Sequence, residues 1–453
     1  MSSSTRAVTP QQRKTVTWVV TITTLCMIFD GYDLVVYGTV VPTLLADPSQ
    51  IGAVTPVQAG ALGSYALIGV LVGALTAGAT GDYLGRRKLT VAGIVWFSVG
   101  MAATAMAGSV ATFGFFRFFT GIGIGLLVAT AGAVVAEFAP EGKRNLLNAV
   151  TYSGVPIGGV LASLLAIVIP DSIGWRGLMW FGALPIVFLL PLALAKMPES
   201  PKWLFAAGRV EESYVLARRL GMPLEVDVPA PDRELTASEK ADRRRGFSAL
   251  VTRKYAWPTL LLGLMGFSGL LLTYGLTTWL PDIMGRLGYG ADMSLTFLLV
   301  LNVGAILGGM IASRPADKFG AKRVVATTFV LAAVSMILLT MGLPMALLLL
   351  FVAAAGCGTI GTQVLVYGLV SNYYSSNARA AGVAWCAGFG RLGGIAGPLV
   401  GGILIGAGLE NIAAFYIFAG IALFGAVVTA IVPARAKNDV VVQDAEQPEP
   451  AGV

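Results

Sequence analysis

The chain has 453 residues, of which 56% are hydrophobic and only 12% charged, and its mean hydropathy is +0.78. No soluble fold hides that much apolar surface, so composition excludes a soluble domain and indicates a polytopic membrane protein. The formal net charge of +7 then has anionic membrane lipid as its natural partner and requires no nucleic acid.

Met1 to Thr15 is polar, and the apolar run that follows is too long for a signal-peptide core and carries no small-residue cleavage site. It reads as a retained first span. Apolar runs of about 20 residues between charged or Pro/Gly-rich breaks predict twelve spans. Their approximate limits are Val16 to Leu45, Val57 to Thr80, Leu89 to Gly108, Ala111 to Phe138, Leu146 to Ile169 and Trp175 to Ala195, then Trp257 to Leu280, Met293 to Ile311, Val324 to Gly342, Met345 to Val370, Ala380 to Gly406 and Ile412 to Val432. On this topology only Arg176 and Arg286 fall in loops on one side, whereas Arg86, Arg87, Lys88, Lys143, Arg144, Lys318, Lys322, Arg323 and Arg379 fall on the other. The positive-inside rule therefore puts both termini in the cytoplasm of a cell-membrane protein. The organisation expected is an N-terminus (1–15), a six-helix bundle (16–196), a cytoplasmic linker (197–254), a second bundle (255–433) and a disordered tail (434–453). Within the linker, Thr236-Ala237-Ser238-Glu239 has the form of a capping box.

The first span contains Asp30-Gly31-Tyr32-Asp33. An ionised Asp in a bilayer core costs about 2.5 to 3.5 kcal/mol on insertion scales, so such residues face wet cavities and carry function. Three residues apart on a helix, Asp30 and Asp33 point the same way. Two close carboxylates repel and burial disfavours their charge, which suits a site that takes up and releases a proton. The chain has no histidine, so only carboxylates are left for that task. Glu137, at the end of the fourth span and seven residues before Arg144, reads as half of a structural gate ion pair, with proton relay as the alternative.

The two halves repeat one another. Gly81-Asp82-Tyr83-Leu84-Gly85-Arg86-Arg87-Lys88 follows the second span and Ala316-Asp317-Lys318-Phe319-Gly320-Ala321-Lys322-Arg323 follows the eighth, a shift of 317 − 82 = 235. The same shift carries Arg144 onto Arg379 and Gly158-Gly159 onto Gly393-Gly394. A duplicated six-span unit is the architecture of alternating-access transporters, with the site near the midplane between repeats. Asp82, Gly85, Arg86, Arg144, Asp317 and Arg379 are accordingly candidate gate residues.

These motifs carry a resemblance. Gly78-x-x-x-Asp82-Tyr83-x-Gly85-Arg86-Arg87-Lys88 resembles the loop signature of the major facilitator superfamily, departing in Tyr83 where a basic residue is usual, and Arg117-x-x-x-Gly121-x-Gly123 resembles its fourth-helix motif. Pro198-Glu199-Ser200-Pro201-Lys202-Trp203-Leu204 is similar to the sequence that closes the sixth helix in many of its porters. Asp30-Gly31-x-Asp33, followed by Val40-Val41-Pro42, narrows the likeness to the aromatic acid:proton symporters. The resemblance implies an all-α fold of twelve transmembrane helices in two pseudo-symmetric bundles, acting as a monomer, and import of benzoate, hydroxybenzoate, protocatechuate, gentisate or a related acid together with protons.

An anionic aromatic substrate needs a cation and flat apolar surface. Arg117 and Arg391 lie within predicted spans, and either offers a bidentate fork to a carboxylate. Arg117 has a competing role, neutralising Asp30 or Asp33, whereas Arg391 has no acidic partner evident in the second half and is the preferred substrate cation. Phe267, Tyr274, Tyr367, Trp385 and Phe389, with Tyr37 and Tyr65 in the first half, are candidates to hold the ring, each set against ordinary packing. Gln363 and Asn302 could read a ring hydroxyl or simply bond helix to helix. Cys26, Cys357 and Cys386 form no CxxC or metal-ligand spacing and read as packing residues. Without a Walker A lysine, HExxH or GxSxG motif, the chain is expected to need no cofactor or metal and to be a secondary transporter and not an enzyme. The readings that compete with aromatic-acid import are an efflux antiporter and an importer of a non-aromatic acid such as cis,cis-muconate.

Overall fold

The computed structural model describes residues 9–140, 142–169, 173–222, 247–253, 255–374, 376–409 and 412–433. Among them, twelve helices are long and apolar enough to cross a membrane. The first six are Pro10–Ala46, Pro56–Leu84, Arg86–Ala105, Val110–Phe138, Leu146–Val168 and Gly174–Lys196. The second six are Ala256–Arg286, Ala291–Ala316, Ala321–Leu338, Met345–Tyr373, Ala378–Gly406 and Ala413–Ile431. Short helices Pro201–Ala206, Val210–Leu220 and Phe247–Leu250 lie between the two sets. The Thr236 capping box and the tail 434–453 lie outside the described residues.

Local chemistry explains where the boundaries depart from the apolar runs. The first helix begins at Pro10, earlier than Val16, because Thr9 caps it through Gln12 N and the proline is preorganised for a first turn. The third begins at Arg86, immediately after Gly85 turns the chain at φ +87°. The fifth span is interrupted at Ser153, between Arg144–Tyr152 and Gly154–Val168, since Pro156 denies Tyr152 its carbonyl partner. The tenth contains a π-helical turn, Cys357–Gly361, immediately before Thr362 and Gln363.

The internal repeat survives as geometry. Gly85 and Gly320, 235 residues apart, both adopt positive φ (+87° and +89°) between consecutive spans. The second cation of each loop ties it to the end of its half: Arg87 Nη2 donates to Leu194 O at 2.6 Å, and Lys322 Nζ to Val432 O at 2.5 Å. Gly158 and Gly393, also in register, each let one helix lie directly on the first helix of its half, against Ile28 O and Phe267 O respectively.

Between the halves, backbone meets backbone on the side away from the termini. Gly38 lies against Thr277 O, Gly60 against Pro398 O and Gly402 against Pro56 O, while Ser64 Oγ donates to Ile395 O at 2.6 Å. First and seventh spans, and second and eleventh, are thus pressed together along that face. Beyond the seam, a vestibule of about 980 Å³ opens among Gln50, Trp175, Arg176, Asp282, Arg286 and Tyr289.

A Cβ at Gly158 would collide with the first helix, whereas one at Gly78 meets open space. Gly158→Val should therefore destabilise the protein by about 1–3 kcal/mol, and Gly78→Ala should be close to neutral. Thermal unfolding of the two purified variants checks this, and equal melting temperatures would contradict the close packing.

Candidate functional site

Gly31 separates the two first-span carboxylates for a packing reason: a Cβ there would collide with Val155 O of the fifth span. The helix is therefore held tightly between its neighbours, and its acidic face is aimed inward. Asp33 is 2% exposed and paired with Arg117, which is equally buried and reaches it from the fourth span. The Arg117 guanidinium also lies 4.9 Å from the centroid of the Tyr37 ring, and the Tyr37 hydroxyl donates to Ala59 O at 2.5 Å. A buried pair of this kind survives because each ion neutralises the other. Arg117 thus takes the neutralising role that competed with substrate binding.

Asp30, one turn earlier, is only half-buried and has a different environment. Its electrostatic neighbours are Arg391 on the eleventh span and Asp33. Tyr152 on the fifth and Tyr274 on the seventh share that neighbourhood with Asp30 and Arg391, and Tyr367 on the tenth lies near Arg391, Tyr274 and Tyr152. The acidic group that feels the charge of Arg391 thus comes from the first half. Tyr152, Tyr274 and Tyr367, on three different helices, all feel the charge of the half-buried arginine, and the Tyr152 hydroxyl donates to Val128 O at 3.3 Å.

The remaining aromatics form a separate group. Trp385 stacks on Phe389 (centroids 5.4 Å apart, 23° between planes), and the Phe389 ring lies 6.0 Å from that of Phe267. The Trp385 indole donates to Thr259 O at 3.0 Å, tying the eleventh span to the seventh. Tyr65 is 44% exposed and packs over Gly114, outside the cluster. Asn302 is buried, with Nδ2 donating to Leu298 O at 2.9 Å and its amide against Gly159, a helix-packing role. The Gln363 amide is pressed against Gly269, and neither of its polar atoms has a partner among the described residues.

At the face carrying the termini, Glu137 is half of an ion pair, but its partner is Arg86 (Nε to Oε1, 3.0 Å) and not Arg144, which is exposed. Arg379 is exposed as well, and of Asp317 only the backbone, within the eighth helix, is described. Arg86 also donates to Gly81 O at 2.7 Å and to Asp82 Oδ1 at 3.3 Å. The Asp82 carboxylate is largely exposed, and its backbone carbonyl accepts the Trp203 indole at 2.8 Å. The group that holds this loop is Glu199: its Oε1 accepts the N–H groups of Arg86 and Arg87 at 2.8 and 3.2 Å, capping the third span from another helix end. Tyr152 and Glu199 are the two residues that sequence reasoning missed. Glu199 stood in the Pro198-Glu199-Ser200-Pro201 motif, and the proximity of its carboxylate to Gly85 was the missing fact; for Tyr152 no pattern in the sequence pointed inward.

A model of the sugar (and other) transporter family matches residues 19–439. The chain belongs to this family. The benzoate transport protein of Acinetobacter baylyi is 31% identical over 410 residues, covering 89% of this chain and 86% of that protein. The gentisate transporter of Corynebacterium glutamicum is 33% identical over 408 residues, covering 89% and 85%. In fold, the chain is similar to the crystal structure of a D-xylose-proton symporter, with a TM-score of 0.73 and 19% identity over 93% of this chain and 99% of that one. The major facilitator fold expected from the loop motifs is the one observed, and the family is one of transporters and not of enzymes.

Removing one partner from the Asp33–Arg117 pair strands a buried charge, at a cost of about 3–5 kcal/mol, whereas apolar replacement of both is close to neutral. Asp33→Ala should lower the melting temperature strongly, and the double variant Asp33→Leu/Arg117→Met should recover most of the loss. Additive destabilisation in the double variant would show that the pair is not the coupled unit described.

Proposed function

We propose that this protein imports a small aromatic carboxylate of the benzoate, hydroxybenzoate, protocatechuate or gentisate class together with protons, by alternating access. The two bundles, 16–196 and 255–433, move about the site between them, and both termini are cytoplasmic. The observation that carries the reading is that Asp30 of one half feels the charge of Arg391 from the other, with Tyr152, Tyr274 and Tyr367 in reach of the same charge. The names of the benzoate and gentisate relatives support the substrate class.

The chemistry follows from charge balance. In the empty site Arg391 faces Asp30; an incoming carboxylate competes for the guanidinium, and Asp30, left without its counter-charge in a low-dielectric setting, takes up a proton. The tyrosines offer ring faces for the substrate and hydroxyls for a phenolic group. Substrate and proton thus enter as a neutral pair, and the halves can rearrange without carrying an unpaired charge through the membrane. Asp33, beside Arg117, is the buried half of the acidic face. At the termini face, Asp82, Gly85, Arg86, Glu137 and Glu199 keep the loop of the first half rigid while the bundles rock, with Arg144, Asp317 and Arg379 as the remaining gate candidates.

Losing a charge-assisted hydrogen bond to the substrate is worth roughly 1.5 to 3 kcal/mol, about tenfold or more in affinity. Arg391→Lys should weaken benzoate binding and Arg391→Ala should weaken it further, while benzamide should bind poorly to the parent and respond little to either change. Asp30→Asn, a permanently neutral mimic, should abolish uphill accumulation while leaving substrate exchange. Radiolabelled uptake into proteoliposomes with and without an imposed proton gradient reads both. Benzoate binding that survives Arg391→Ala and fails in Arg117→Ala would move the substrate cation to the fourth span. Gradient-driven efflux of benzoate, or uptake of cis,cis-muconate in preference to it, would overturn the proposal.

A further inference from the structure

We propose that a cavity beneath the seam between the halves binds a single water that joins Asp30 and Asp33 into one proton site, with Thr278 of the seventh span as its anchor. The inference rests on the proton-coupled reading above and assigns the route by which the sealed carboxylate is reached.

The cavity has a volume of about 20 Å³. A buried water needs at least roughly 10–15 Å³ and two to four polar partners, so there is room for one molecule and not for a substrate. Asp30, Asp33 and Arg117 line it from the first half, and Tyr274 and Thr278 from the second. Arg117 gives Nη1 to Asp33, but its Nε is buried and has no partner among the described residues. A buried guanidinium N–H left unbonded is costly, and a water accepting from it removes that penalty. Thr273 and Thr277 spend their hydroxyls on their own helix, donating to Gly269 O at 2.9 Å and Thr273 O at 2.8 Å, whereas Thr278, buried like them, borders the cavity.

Asp33 is 2% exposed, so a proton reaches it through a neighbour or not at all. The charged and titratable groups facing it are Arg117 from the fourth span, Tyr32, Tyr37 and Asp30 from its own helix, and Tyr274 from the seventh. Facing Asp30 are Arg391 from the eleventh and Tyr152 from the fifth, together with Tyr274. Asp30, half-buried, is therefore the port. In the relay, protonated Asp30 donates its O–H to the water oxygen while the water passes one of its own protons to the Asp33 carboxylate. One proton has moved and the water is regenerated; Asp33 is then neutral, and Asp30, ionised again across the water, is the charge that balances Arg117. Because Thr278 and Tyr274 belong to the other half, the bridge is complete only while the first and seventh spans stay pressed together, and opening of that seam dismantles it.

The test uses the full-length purified protein and benzoate as the probe, measuring binding at low pH and, with an indicator dye, the protons taken up per benzoate bound. Thr278→Val removes the hydroxyl at constant shape, Thr278→Ser retains it, and Ala66→Val fills the cavity from the second span. Thr278→Val and Ala66→Val should lower proton uptake by half or more with benzoate affinity at low pH changed less than about threefold, and Thr278→Ser should match the parent. Parent-like proton uptake in Thr278→Val overturns the water site, as does a Thr278→Ser variant as impaired as Thr278→Val. Both comparisons hold even where Ala66→Val fails to fold. If the parent takes up no proton on binding benzoate, proton coupling itself fails, and the bridge fails with it.

Discussion

A charge held away from water must find a partner of opposite sign, and in this protein that constraint organises the centre of the molecule. Asp33 and Arg117 meet this requirement within the first half, in a pair that is almost wholly inaccessible. Asp30 feels the charge of Arg391 from the other half, in a place that remains half-open. The difference matters because a closed pair is shielded from ligands, whereas an accessible ion that feels its counter-charge across an interface is open to competition from a ligand of the same sign. The geometry thus separates two carboxylates one helical turn apart into a sheltered one and an accessible one.

Glycine makes that separation possible. Gly31 lets the fifth span lie on the first, Gly38 lets the seventh lie on it from the other half, and Gly60 and Gly402 do the same for the second and eleventh. Such contacts bring backbones close without interlocking side chains, so the seam has van der Waals attraction but few bonds to break. The principal polar tie described across it is the Ser64 hydroxyl on Ile395 O. A surface of this kind can hold two bundles together and still let them part.

The duplicated loops behave differently in the two halves despite their common geometry. Both turn at a positive-φ glycine and both anchor a cation on the last helix of the half. The first loop gains Glu199 across the third helix's N-terminus and the Arg86–Glu137 pair. In the second, Ala321 stands where Arg86 stands in the first, so that side chain brings no cation to pair. Among the described residues the first half is accordingly the more tightly braced at the termini face.

Much of this was already legible in the sequence. Hydropathy fixed the number of spans because the bilayer core demands about 20 apolar residues per crossing; the 235-residue register of Asp82 with Asp317 and of Gly158 with Gly393 revealed the duplication; and Asp30 and Asp33 marked themselves as anomalous by the cost of charge in an apolar run. What only the tertiary structure decided was partnership, Arg117 with Asp33, Glu137 with Arg86 and Glu199 with the start of the third helix, and proximity, Arg391 near Asp30 and Tyr152 near both. The helical period tells which residues share a face of one helix, but which helix that face meets is set by the packing of glycine seams among twelve spans. Residues brought near one another across such a seam, as Asp30 and Arg391 are over a separation of 391 − 30 = 361 positions, leave no local pattern in the chain.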